Sequence, residues 1–93
     1  MIMPNYTYPI DEAWTTEEIS TVVTFFSKIE QAYERGVNRE ALLAAYREFK
    51  EIVPSKMEEK QLDKQFSKVS GYAIYPTIKK AKEETAKTIK MTK

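Results

Sequence analysis

The chain has 93 residues, 42% of them apolar and 31% charged, with a net charge of +1. That length closes one core and not two, and near-neutrality argues against a strongly electrostatic partner for the protein as a whole. Cysteine and histidine are both absent, which excludes disulfides, thiolate chemistry, the usual general base and the commonest metal ligand.

Two glycines and four prolines are few for the turns of a sheet protein, so helices are favoured. The opening, MIMPNYTYPIDEAW, has no basic start followed by an apolar run, so no secretory signal is expected. Without secretion the Asn5-Tyr6-Thr7 acceptor pattern carries no meaning. The most apolar run, Val22-Val23-Thr24-Phe25-Phe26, is far too short to cross a bilayer. A cytoplasmic location is the expectation.

Pro9 forces Tyr8 toward an extended conformation, so residues 1–14 read as an arm strapped over a core. Burying Tyr8, Ile10 and Trp14 would each contribute about 1.5–3 kcal/mol. The rival reading leaves the arm exposed as a partner-binding surface.

Helix boundaries follow from caps. Thr15 with Glu18 forms a capping box, and Ile19, Val22, Val23, Phe26, Ile29 and Tyr33 recur at helical spacing up to a stop at Gly36. The first helix is predicted over about 16–35. Asn38 caps a second helix, 39–53, with Val37 and Leu42 placed as a hydrophobic staple. Leu42, Tyr46, Phe49 and Val53 face inward, and Pro54 ends the run.

Ser55 with Glu58 gives a second capping box for a helix over 56–70, whose narrower stripe is Leu62, Phe66 and Val69, closed by Gly71. Pro76 suits the first turn of a last helix over 75–90. On a wheel, Ile74, Ile78, Ala81, Thr85 and Ile89 line one face. Lys79, Lys80, Lys87, Lys90 and Lys93 lie opposite. Lys79–Glu83, Glu83–Lys87 and Lys80–Glu84 are then (i, i+4) neighbours that partly cancel charge, so the lysines read as a solvated face.

Two features could carry function. Glu30 falls on the inward stripe with Ile19, Val23, Phe26 and Tyr33, and a carboxylate there must be paired, hydrogen-bonded or near an edge. It is either an acid of raised pKa in a cleft or a helix-end Glu that reaches water, or a tyrosine hydroxyl or lysine on a neighbouring helix. The six tyrosines are Tyr6, Tyr8, Tyr33, Tyr46, Tyr72 and Tyr75. Tyr33 and Tyr46 sit on core stripes, while Tyr8, Trp14, Tyr72 and Tyr75 are the candidate partner-binding set.

Charge is unevenly placed. Through Val53 there are nine acidic and five basic residues; beyond it, ten lysines, five acids and no arginine. Such asymmetry could orient self-association, while the missing arginine weakens readout of nucleic acid.

Read together, Tyr8-Pro9-Ile10-Asp11, Trp14, Thr16-Glu17-Glu18-Ile19, Ala32-Tyr33-Glu34, Phe49-Lys50, Val53-Pro54-Ser55-Lys56, Glu59-Lys60 and Ser70-Gly71-Tyr72 form an ordered set. It resembles the YktA-like proteins of Gram-positive bacteria, uncharacterised protein family 0223, from about Tyr6 to Lys82. The resemblance implies a small helical protein and transfers no catalytic or ligand residue.

The expectation is therefore an all-α, single-domain bundle of three to four helices with an N-terminal extended aromatic arm. It is read as non-enzymatic, without cofactor, metal, membrane segment or small-molecule substrate. A protein partner or a homo-oligomer is expected, and weak nucleic-acid binding through Lys79, Lys80 and Lys87 is the alternative.

Overall fold

The computed structural model describes residues 8–92. The readings at Asn5, Tyr6, Thr7 and Lys93 lie outside the described residues. The protein is mostly helical, and its first three helices start where the caps place them. Helix α1 (Thr16–Glu34) opens with both halves of the capping box. The Glu18 N–H donates to Thr15 Oγ1 at 3.1 Å, and the Thr15 N–H donates to Glu18 Oε1 at 2.8 Å. At its end the Arg35 and Gly36 N–H groups both donate to the Gln31 carbonyl, and Gly36 takes a φ of 97° that favours glycine.

Strand β1 (Val37–Asn38) leads directly into helix α2 (Arg39–Ile52), whose cap Asn38 accepts from the Ala41 N–H at 2.9 Å. Helix α3 (Lys56–Ser70) starts at Ser55, which accepts from the Glu58 N–H at 3.3 Å. The reciprocal Glu58 bond of a full capping box is not formed. Gly71 closes α3 in the left-handed region at φ 79°.

Helix α4 (Ile74–Glu83) has no side-chain cap of its own at Ala73. Asp63 of α3 supplies it: Oδ1 accepts from the Ile74 N–H at 2.8 Å and Oδ2 from the Tyr75 N–H at 3.1 Å. One carboxylate thereby satisfies two orphan donors and sits at the positive end of the helix dipole. It also fixes α4 to α3.

The core is aromatic. Phe25, Phe26, Phe49 and Phe66 are fully buried, with Val22, Ile29, Leu42, Val53 and Ile74 around them. Phe26 of α1 stacks on Phe66 of α3 at 4.7 Å between centroids, and Phe25 stacks on Phe49 of α2 at 4.5 Å. Those two ring pairs join three helices, and such pairs add to plain area burial. α1 and α2 form the most extensive helix pair, and α4 packs mainly on α2. Val69, placed on the inward stripe by spacing, is 40% exposed, so the buried anchor of α3 is Phe66.

The last helix is shorter than its predicted span of 75–90. It ends at Glu83, and the chain turns back to form strand β2 (Thr88–Ile89), antiparallel to β1 with Val37 opposite Ile89. Flanking bonds extend the pairing: the Arg39 N–H donates to the Lys87 carbonyl at 2.8 Å and the Met91 N–H to the Ala32 carbonyl at 2.7 Å. The cause lies in the segment Thr88-Ile89-Lys90-Met91, which is β-branched at its first two positions and alternates outward and inward. Ile89 is fully buried, as the wheel required, but it enters the core from a strand.

The predicted Glu83–Lys87 neighbours are therefore not on one helix, and Lys87 and Lys90 sit on the tail. Of the three predicted (i, i+4) pairs, Lys80–Glu84 is present at 3.8 Å. The Lys80 ammonium also donates to the Lys90 carbonyl at 2.9 Å. Arg39 Nε donates to the Ala81 carbonyl at 2.6 Å, which closes the C-terminal end of α4.

Candidate functional site

Residues 8–14 cross the bundle without helix or strand and are fixed at both ends. At one end the Tyr8 ring packs 5.4 Å from Phe26 and 6.1 Å from Phe66. Its hydroxyl donates to Glu30 Oε1. At the other end Asp11 makes a local turn, its carboxylate accepting from the Ala13 N–H at 2.9 Å and its carbonyl from the Trp14 N–H at 3.1 Å. An aspartate whose side chain bonds backbone two residues on is a recurrent turn former. Trp14 is thereby set just ahead of the α1 cap, half-buried against the core.

Glu30 is 8% exposed. Burial, and then the nearby Glu34 carboxylate, push its pKa up from 4.5 to about 7. Burial and the charge of Glu34 also raise Tyr8. Glu34, one turn further along α1, accepts from the Tyr72 hydroxyl at 3.0 Å. Tyr72 stacks on Tyr33 at 4.7 Å, and the Tyr33 hydroxyl accepts from the Ala73 N–H at 3.3 Å.

These contacts join the arm, α1 and the α3–α4 corner through two carboxylates and three tyrosines. Glu30 thus combines the raised pKa of one reading with the tyrosine partner of the other. The hydroxyl comes from the arm.

The candidate partner-binding residues do not share one surface. Tyr8 and Tyr72 belong to the carboxylate cluster, with their rings packed on the core or on Tyr33. Tyr75 is 69% exposed. Trp14 lines a groove of about 410 Å³ between the arm and α3, together with Ile10, Asp11, Glu58, Gln61, Leu62 and Gln65. Trp14, Ile10 and Leu62 give it apolar walls. Asp11 and Glu58 give it negative charge.

The lysines of the nucleic-acid alternative are likewise dispersed. Lys79 is exposed on α4, Lys80 is engaged by Glu84 and the Lys90 carbonyl, and Lys87 lies on the returning tail.

Sequence reasoning passed over two groups. Asp63 was not singled out because its role depends on the α3–α4 crossing, although a carboxylate eleven positions before an uncapped helix start is a weak hint of it. Tyr46, Lys50 and Glu59 form a second cluster, in which Glu59 accepts from the Tyr46 hydroxyl and from the Lys50 ammonium, each at 2.8 Å. Burial first, then the bond and charge of Glu59, push Tyr46 strongly upward. The Lys82 ammonium lies 5.2 Å from the Tyr46 ring centroid, within cation–π range.

Among the described residues, no cluster of three or more acidic side chains is placed to hold a metal ion. No described helix is long and apolar enough to cross a membrane.

The sequence matches the family model described as "Uncharacterised protein family (UPF0223)" over residues 5–90. A UPF0223 protein of Oceanobacillus iheyensis is 58% identical over 87 residues, covering 94% of this chain and 99% of that one. The UPF0223 protein YktA of Bacillus subtilis is 54% identical over 86 residues, covering 92% and 98%. A UPF0223 protein of Streptococcus thermophilus is 51% identical over 82 residues, covering 88% of each.

Proposed function

The chain belongs to the UPF0223 family, and we propose that it is a non-enzymatic protein-interaction module of the bacterial cytoplasm. The observation that carries this reading is the groove between the arm and α3. At about 410 Å³ it is large enough for one or two inserted side chains. A half-buried tryptophan forms part of its wall, the residue type most enriched where partners anchor.

The absence of histidine and cysteine from the sequence supports the non-enzymatic part. The raised Glu30, the group best poised for acid–base work, is held under the arm by Tyr8.

Affinity capture with the intact chain and with Gln61→Arg tests the proposal. Gln61 is exposed, so the substitution fills the groove without touching the core. A discrete partner, or a second copy detected by sedimentation, should be retained by the unaltered protein and by the exposed α2 control Arg47→Glu, and lost with Gln61→Arg. Identical behaviour of all three proteins contradicts the proposal.

A further inference from the structure

The other flank of α3 points to a different ligand. Lys56, Lys60, Lys64 and Lys68 stand at strict (i, i+4) spacing, and all four are exposed. None takes part in an ion pair among the described residues. At 100° and 1.5 Å per residue they form a line about 18 Å long on one side of the helix. The groove residues Glu58, Gln61, Leu62 and Gln65 face roughly 130° away from it.

A solvated face is more cheaply made with alternating signs, because each like-charge (i, i+4) pair destabilises a helix. Here the acids nearest the line are committed elsewhere. Asp63 caps α4 and Glu59 binds Lys50 and Tyr46. Neither carboxylate forms an ion pair with the line.

The backbone of an exposed tyrosine is fixed next to this helix. Asp63, which holds the Tyr75 N–H at 3.1 Å, lines a shallow depression of about 280 Å³ with Lys60, Lys64, Ser67 and Ala73. Tyr75 is 69% exposed, with nothing in its burial to make it a core residue. We propose that this face of α3, with Tyr75, binds single-stranded nucleic acid. The lysines track the phosphates, and the tyrosine ring takes a base.

Charge complementarity selects a polyanion, and the exposed ring selects one with unstacked bases. A duplex would conceal those faces. A membrane-surface helix needs a free apolar face opposite its lysines, and the apolar side of α3, Leu62 and Phe66, is packed into the core. This site is distinct from the arm–α3 groove and from the dispersed Lys79, Lys80 and Lys87, and it does not depend on either.

The test is fluorescence anisotropy of the full chain with a labelled 20-mer single strand, its duplex, and anionic phosphatidylserine vesicles as competitor. Four lysine contacts give a slope of log affinity against log salt of about −3. Lys60→Gln with Lys64→Gln should halve that slope. Tyr75→Ala should weaken binding roughly tenfold and leave the slope alone. Lys87→Gln, away from this face, should change neither.

All the substituted side chains are exposed, and an unchanged circular dichroism spectrum verifies the fold of each variant. The proposal is overturned if no strand binds at low salt, or if the slope ignores the double substitution. Equal affinity for the duplex, or preference for the vesicles, overturns it as well.

Discussion

The Tyr8 hydroxyl donates to the Glu30 carboxylate, tying the arm to helix α1 across 22 positions of sequence. This contact explains how a carboxylate can occupy the inward stripe of α1. It also makes the arm part of the fold, since the Tyr8 ring rests on Phe26 and Phe66. Three groups face Glu30 or its charge: Tyr8 from the arm, Glu34 from its own helix and Tyr72 from the α3–α4 corner.

That burial makes stability depend on pH near neutrality. The folded carboxyl keeps its proton up to about pH 7, whereas its ordinary value is 4.5. The contribution of Glu30 to stability is therefore complete below about pH 4.5, falls as pH rises toward 7, and levels off above it. Glu30→Gln keeps a hydrogen-bond acceptor for Tyr8 and cannot ionise. Urea denaturation at pH 5 and pH 8 should show the unaltered chain losing about 1–3 kcal/mol between the two, with most of that difference absent from the variant.

Gly36 carries a second test, because two separate costs meet there. Its φ is 97°, and an added Cβ would lie 2.9 Å from Thr88 Cγ2 of the returning tail. Gly36→Ala should destabilise the protein by about 1–2 kcal/mol. Adding Thr88→Ala removes the clash but not the backbone strain, so thermal denaturation should show partial recovery. Full additivity of the two changes would mean that the tail does not pack against this corner.

Asp63 is the most economical of the contacts that join α3 to α4. Asp63→Ala leaves the Ile74 and Tyr75 N–H groups to water and removes a charge from the helix N-terminus. The expected loss is about 1–2 kcal/mol. Amide exchange should accelerate first at Ile74, Tyr75 and the following turn. Asp63→Asn, which keeps one acceptor, should fall between the two.

Much of the fold was legible because its punctuation is local. Thr15, Asn38 and Ser55 cap the helices they precede, and Gly36 and Gly71 take the positive φ that follows a helix end. The end of α4 was not legible. No Gly or Pro marks it, and Ile74, Ile78 and Ile89 satisfy a helical wheel whether Ile89 continues the helix or returns as a strand. A period of two across four residues is too short to outweigh a period of 3.6 across sixteen.

The candidate site divides in the same way. Spacing located Glu30 on the inner face, and Trp14 lines the arm–α3 groove. Composition could not group Tyr8 with Tyr72, or separate Tyr75 from both, since those relations depend on the corner at Gly71. The spacing of Lys56, Lys60, Lys64 and Lys68 is present in the sequence but gave no reading by itself. What needed structure was the commitment of Asp63 and Glu59 to other partners.

The interaction role rests on the groove, and site-specific photocrosslinking in the native cell tests it most directly. A benzophenone side chain placed at Gln61 or Gln65 should yield one discrete protein adduct, the same from both positions, while the same group at Arg47 on α2 yields none. Adducts equally strong and equally heterogeneous from all three positions would contradict the account.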